Sequence, residues 1–425
     1  MIEVDIHDVS SEGLGVGRIN NKVVFVTDAL IGEKILCVAT REGKTVVEAK
    51  LDKILTPSAQ RVEPKCAHFA TCGGCQLQHL SYSGQLEVKQ KRVQDALQRI
   101  GKCTNVTVLP VKPSPEFGYR NKLQLPVRKG KLGFFGAKSN DFVPIDHCHL
   151  HLPKSEKTLK QVENLGIPAS VDTLVMKTAF SSDAILMILC SFGRITKELR
   201  TFAQQVLDLQ KNVRGIYFTQ RRPDSNFVFG SEFTLLAGEE SIEDTLLGLK
   251  FSIYKDAFYQ VNPYQVPHLY QYVLDLLQLT KKDRVLDAYC GVGTMALLAA
   301  QYCQNAIGIE CVASSIESAR KNQLLNQLQN VTFYHAKAEE KIRSLPSCNV
   351  AILNPPRKGC EPALLQALIE QKVEKIVYVS CDPATFARDI HILSSHYELH
   401  SVQPFDLFPQ TVHVETVGYL TRKST

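Results

Sequence analysis

The sequence predicts an α/β protein in three parts: a small N-terminal β-barrel, a mixed α+β centre and a C-terminal open parallel sheet flanked by helices. Three observations predict it. Beyond Lys281, apolar strand, loop and helix alternate regularly, the pattern of a parallel sheet covered on both faces. Residues 1–50 break instead into short strands separated by glycine turns, as in a small barrel. Between these parts lies a compact cysteine cluster in a basic stretch, residues 51–150, where 15 Lys and Arg stand against 7 Asp and Glu.

In chain order, strands are expected at 1–5, 22–26, 33–38 and 45–50, with Gly13, Gly15 and Gly17 between the first two. Residues 53–64 read as a linker. Leu86, Val93, Leu97 and Ile100 lie near helical spacing over 85–100, and Gly101 ends that helix. From 117 to 248 the pattern is mixed and mostly strand-like, with a helix at 197–209. Strands of the C-terminal sheet are expected at 284–288, 306–310, 331–334, 350–353 and 376–380. The domains expected are 1–56, 57–248 and 249–425, and a chain of 425 residues is long enough for roughly two or three.

Composition narrows the function. With 44% hydrophobic and 22% charged residues the chain is neither disordered nor fibrous. Its most apolar run, 184–190, is far shorter than the roughly 18 residues of a membrane span. The start carries Glu3, Asp5, Asp8 and Glu12 and lacks the apolar core of a secretory signal, so a cytoplasmic protein without a membrane partner is expected. The 13 cysteines, an odd number in a reducing compartment, read as ligands, a nucleophile or core filler. The net charge of +6 is concentrated in 51–150, a candidate phosphate-binding face or a solvated surface.

The strand at 284–288 runs into Tyr289-Cys290-Gly291-Val292-Gly293-Thr294, placing glycines at the carboxyl end of a strand, where open α/β sheets bind ligands. The third glycine of a dinucleotide fingerprint is missing. Glu310, ending the next strand, can accept hydrogen bonds from ribose hydroxyls. This combination suits an adenosine cofactor without phosphates, S-adenosylmethionine, with a nicotinamide site as the alternative. Asn354-Pro355-Pro356-Arg357 ends the fourth strand in a stiff turn. The fifth delivers Cys381 to the same edge, followed by Asp382-Pro383; a thiol there is a small core residue or a nucleophile. Cys360 is its rival, entering a helix past Gly359. Near the C-terminus Val412 and Val414 alternate with His413 and Glu415, the pattern of a half-buried strand with polar groups on one face. Cys66, Cys72 and Cys75, with Cys148 far downstream, can converge as four thiolates; zinc and an iron–sulfur cluster share that ligand set.

Together these motifs resemble the RNA (uracil-5-)-methyltransferase family: Phe-x-Gln-Val-Asn at 258–262, Asp-x-x-Cys-Gly-x-Gly at 287–293, the Pro-Pro-Arg turn, Ser-Cys-x-Pro at 380–383 and Phe-Pro-x-Thr-x-His-Val-Glu at 408–415. The resemblance implies a Rossmann-like S-adenosylmethionine-dependent catalytic domain, with Gln260, Tyr289, Thr294, Glu310, Lys337 and Asn354 lining the cofactor site. It implies Cys381 as nucleophile and Glu415 as proton acceptor. It also implies a [4Fe–4S] cluster on Cys66, Cys72, Cys75 and Cys148, and an OB-like TRAM barrel that binds RNA. Barrel plus cluster is similar to the family's 23S ribosomal RNA enzymes, so 23S ribosomal RNA is the expected partner, with no obligate protein partner evident. Transfer RNA, a cytosine-5 reaction and a non-catalytic RNA-binding iron–sulfur protein are the alternatives. The chain departs from the family at Asn354, where aspartate is usual.

Overall fold

The computed structural model describes every residue except Pro223, Ser225, Asn226 and Thr425. Strands β1 (Ile2–Val9), β2 (Gly15–Ile19), β3 (Lys22–Thr27), β4 (Lys34–Glu42) and β5 (Val46–Thr56) close a barrel in the order β1-β2-β3-β5-β4. Alternate residues Val4, Ile6, Val24, Val26, Ile35, Cys37, Val47 and Ala49 fill it, as a period of two requires. Two expectations change here. Gly15 and Gly17 lie within a strand, because a Cβ there would fall 2.8 Å from the carbonyl oxygens of Ala29 and Asp5, so barrel closure demands glycine. The start of the expected linker, residues 53–56, continues β5.

Helix α1 (Tyr82–Arg99) starts at Ser81, whose side chain accepts the Gly84 amide. It buries Gln85, Lys89, Val93 and Leu97 and leaves Ile100, beyond its end, exposed. The central sheet contains β6 (Lys122–Arg128), β7 (Lys131–Phe135) and β8 (Phe142–Pro144), then, after α2 (Pro153–Asn164), β9 (Thr173–Thr178) and β10 (Ile185–Ser191). Helix α3 (Lys197–Leu209), β11 (Val213–Gln220) and β12 (Thr234–Gly238) complete it, in the order β12-β11-β10-β9-β6-β7-β8. Leu159 and Val162 of α2 and Leu199, Phe202 and Val206 of α3 cover one face. Hairpin β13 (Ser241–Leu246) and β14 (Leu249–Tyr254) places Ile242 and Ile253 over the other. Burial on both faces explains why 184–190 is the most apolar run in the chain.

The C-terminal layer follows α4 (Val266–Leu277) with β15 (Arg284–Asp287), α5 (Thr294–Ala300), β16 (Asn305–Glu310), α6 (Ala313–Leu325), β17 (Val331–His335) and α7 (Ala338–Lys341). It continues through β18 (Val350–Leu353), α8 (Pro362–Glu370), β19 (Lys375–Ser380), α9 (Pro383–Leu393), β20 (Tyr397–Phe405) and β21 (Glu415–Arg422). The sheet order is β17-β16-β15-β18-β19-β21-β20, parallel except where β21 runs antiparallel to both neighbours. The expected strand through 412–415 is therefore corrected: residues 406–414 form a loop and Glu415 opens β21. Helix α1 packs against α9, and its Val93 and Leu97 share a core with Leu286, Leu364, Phe386 and Leu393. Among the described residues no helix is long and apolar enough to cross a membrane.

Candidate active site

Parallel registry sets the site. Asp287 lies opposite Gly308 of β16 and Ile352 of β18, and Leu353 lies opposite Tyr378 of β19, so the loops after these four strands leave one edge together. The chain runs outward through β15, β16 and β17, then crosses back to β18, which makes this edge a topological switch point.

The Gly291–Gly293 turn is built for close approach. Gly293 has φ of 84° and a Cβ there would sit 2.7 Å from the Phe333 ring. A Cβ at Gly291, with φ of 54°, would meet nothing within 4 Å, so the loop backbone opens onto the cleft. Glu310 stitches the turn to β16: its carboxylate accepts the amides of Gly291 at 3.2 Å and Val312 at 2.9 Å. Beneath, Asp287 accepts the Ala296 amide at 3.0 Å, and burial raises its carboxyl to about 7. Thr294 is buried at the first turn of α5. The buried Tyr289 hydroxyl points toward Cys360, and burial raises it well above the usual phenol value. Lys337 is exposed at the start of α7 and pairs with Glu340 at 3.3 Å.

Asn354 is half-buried directly after β18. The Pro-Pro-Arg turn is tied to the cysteine turn by the Thr385 hydroxyl, which donates to the Arg357 carbonyl at 3.1 Å. Asp382 caps α9 by accepting the amides of Ala384 and Thr385 at 2.9 and 3.0 Å, holding Cys381 just outside the helix. Burial, then the Glu415 carboxylate, pushes the Cys381 thiol up to about 11, while the Arg357 guanidinium pulls it down. Cys381 is half-buried, whereas Cys360 is 3% exposed and its amide is bound by Asp389 at 2.7 Å. Glu415 is 3% exposed, and burial alone raises its carboxyl to about 8. It faces Tyr270, which in turn faces the Gln260 side chain. The structure thus brings Cys381 beside Glu415 and sets Tyr270 between Glu415 and Gln260, while Asn354 follows β18 and Lys337 stays exposed at the start of α7.

Sequence reasoning missed the groups that hold the 406–414 loop. Lys89 reaches the Phe408 carbonyl at 3.1 Å, Tyr119 the Pro409 carbonyl at 3.0 Å and Arg92 the Val412 carbonyl at 2.7 Å. The amides of Gln76 and Leu77 both donate to the Gln410 carbonyl at 3.0 Å. The available signal was a lysine four residues before Val93 on the buried face of α1. Likewise Lys177, in a sheet interior, donates to the Tyr254 and Ala257 carbonyls at 2.8 and 2.6 Å and pins the segment before Gln260.

Cys66, Cys72, Cys75 and Cys148 line one cavity of about 220 Å³, together with His68, His147, His149, His151 and Arg120. Among the described residues no three His, Cys, Asp or Glu side chains converge closely enough to hold a metal ion. The expected iron–sulfur domain is thus a cysteine-lined cavity in this structure.

Residues 171–423 match the sequence profile of the tRNA (Uracil-5-)-methyltransferase family, and residues 1–51 that of the TRAM domain. This chain belongs to that family. An uncharacterized RNA methyltransferase of Listeria innocua is 37% identical over 99% of this chain and 98% of its own length. One from Halalkalibacterium halodurans is 36% identical over 100% of this chain and 97% of its own. Among solved structures, the Pyrococcus abyssi tRNA (uracil-54, C5)-methyltransferase, in complex with S-adenosyl-L-homocysteine, superposes with a TM-score of 0.77 at 26% identity, covering 99% of this chain and 100% of its own. That coverage includes the barrel, so domain content alone does not separate ribosomal from transfer RNA as substrate. The tRNA (uracil-5-)-methyltransferase family membership makes this chain an RNA methyltransferase with an N-terminal TRAM domain.

Proposed function

We propose that this enzyme methylates C5 of a uridine in RNA through a covalent adduct between Cys381 and C6 of the base, with 23S ribosomal RNA proposed as the substrate on the resemblance alone. The observation that carries the reading is the juxtaposition of a half-buried thiol and a buried carboxyl just beyond the Ser380–Thr416 pair of two neighbouring strands, Cys381 after β19 and Glu415 opening β21. C5 of uracil is a weak nucleophile. Addition of the Cys381 thiolate to C6 moves the C5–C6 π electrons toward the C4 oxygen and makes C5 an enolate carbon. S-adenosylmethionine, when bound, supplies the electrophilic methyl group that C5 takes. Glu415 then removes the C5 proton, the C6–sulfur bond breaks with its electrons returning to Cys381, and the C5–C6 double bond is restored. Arg357 stabilises the thiolate. Because the target atom is stacked in RNA, the base must be flipped into the cleft.

Gln260, Tyr289, Thr294, Glu310, Lys337 and Asn354 are assigned to the cofactor. The open face at Gly291 and the Glu310 carboxylate fit an adenosine with free ribose hydroxyls. Asn354 offers an amide oxygen where a carboxylate would carry charge. The four cysteines are assigned a [4Fe–4S] cluster, which would serve as a structural staple. The four thiols line a cavity of about 220 Å³, and zinc and an iron–sulfur cluster share that ligand set, so the choice of cluster rests on the family resemblance. The functional division proposed is RNA binding in 1–56, cluster and RNA binding in 57–248, and catalysis in 249–425.

A transfer RNA substrate is the second reading, favoured by the extent of the Pyrococcus abyssi superposition. Both are tested by incubating the protein with a labelled methyl donor and with 23S ribosomal RNA or transfer RNA transcripts, then mapping the product by mass spectrometry. 5-Methyluridine in the 23S transcript is expected. Label in transfer RNA alone selects the second reading, and 5-methylcytidine rejects both.

A further inference from the structure

The end of the central sheet remote from the catalytic cleft carries an unused constellation. Asn121, just before β6, donates to the Gln260 carbonyl at 3.1 Å, so this end of the strand adjoins the site. Arg128 closes β6 roughly 20 Å of strand further on. There the ends of four strands meet. The Val127 amide donates to the Asp172 carbonyl at 2.8 Å, the Asp172 amide to that of Cys190 at 2.9 Å and the Arg221 amide to that of Ser191 at 2.8 Å.

Two arginines turn on Asp172: Arg221 at 2.5 Å from its carboxylate and Arg128 at 3.4 Å from its carbonyl. Each guanidinium also lies against a phenylalanine: Arg221 is 5.0 Å from the Phe192 ring centre, and Arg128 reaches back along β7 to 6.0 Å from that of Phe135, whose carbonyl accepts the Gly73 amide. The two phenylalanines are 44% and 37% exposed, so part of each stays open to a ligand. Lys129, Arg194 and Arg222 are exposed beside them in the chain, against the exposed carboxylate of Asp224.

Flat rings held beside fixed cations match the needs of unpaired RNA: a π-face for each base and donors for the phosphates. We propose that this end of the central sheet is a second RNA contact, which holds an unpaired stretch flanking the target uridine by stacking bases on the Phe192–Arg221 and Phe135–Arg128 pairs. The inference rests on the protein's being an RNA methyltransferase and adds where, beyond the cleft, the RNA is gripped. It also gives a reason for the excess of cations in 51–150, to which Arg128 and Lys129 belong.

The test compares binding of fluorescein-labelled oligouridine and of an RNA hairpin duplex of equal length to the full chain and to Phe192→Ala/Phe135→Ala. Affinity for oligouridine should fall about 5- to 140-fold per lost stack, with the duplex little affected. Arg128→Gln should reduce the salt slope of oligouridine binding by about 0.7. Phe192→Tyr keeps a ring and should bind oligouridine as the parent does. Unchanged binding in the double variant overturns the proposal, as does equal loss of both probes or a Phe192→Tyr defect as large as that of Phe192→Ala. Binding is read without methyl transfer, so failure of the transfer reaction in the parent protein would count against the catalytic reading alone.

Discussion

Lys89 Nζ lies 2.6 Å from Asp406 Oδ1, and both side chains are fully buried. Burial drives the Lys89 ammonium down and the Asp406 carboxyl up, each opposed by its partner. Asp406 also accepts the Phe408 amide at 3.2 Å, so the pair fixes the first turn of the loop that ends at Glu415. Removing one partner of a buried pair strands the other.

Lys89→Met should therefore destabilise the protein by about 3–5 kcal/mol, while Lys89→Met/Asp406→Leu recovers most of that loss. Urea unfolding measures both. If the pair positions Glu415, the refolded double variant should retain cofactor affinity yet release methylated RNA slowly; full turnover in that variant would reduce the pair to a purely structural contact.

Cys381→Ala should abolish the covalent complex with RNA containing 5-fluorouridine, since fluorine blocks the final proton removal, and leave RNA binding intact. Cys360→Ala should still form the complex, because its thiol is buried against Tyr378 and Tyr289 and burial raises it to about 12. Denaturing gels of the two variants decide; an adduct lost only in Cys360→Ala would move the nucleophile.

Glu415 can act as a base only once ionised, so proton removal should accelerate with pH up to about 8. Its folded value lies above the ordinary 4.5, so its contribution to stability is present at low pH and is lost as pH rises from 4.5 through about 8. Glu415→Gln, neutral throughout, should match the parent in melting temperature at pH near 5 and exceed it above 8. The same variant should stall as a protein–RNA complex already carrying the methyl group. Slow turnover without linked label would instead make Glu415 a group that only orients the ring.

Protein purified without air should contain iron and sulfide in amounts fitting one four-iron cluster; stoichiometric zinc without sulfide would reject that assignment. Cys75→Ser should lower folded yield more than it changes cofactor affinity, because the residues after Cys75 hold the Gln410 carbonyl.

Local chemistry made much of this protein legible without coordinates. Strand 350–353 and helix 197–209 are where the pattern places them, since period and punctuation are properties of neighbouring residues. The turn at Gly291–Gly293 and the Ser-Cys-Asp-Pro corner are likewise written in adjacent residues that leave the backbone little choice. Glu415 shows where that reasoning stops: alternation suggested a polar face, but β21 is an inner strand between β19 and β20, which buries the carboxyl and raises it to about 8. Lys89 and Asp406 are 317 residues apart, and no periodicity links them. The sequence by itself determined the alternation of the parallel sheet, the glycine turn after β15 and the cysteine corner after β19. Only the tertiary structure decided how the loop before Glu415 is held and which charges are buried, because desolvation and pairing depend on the distant segments brought beside each group.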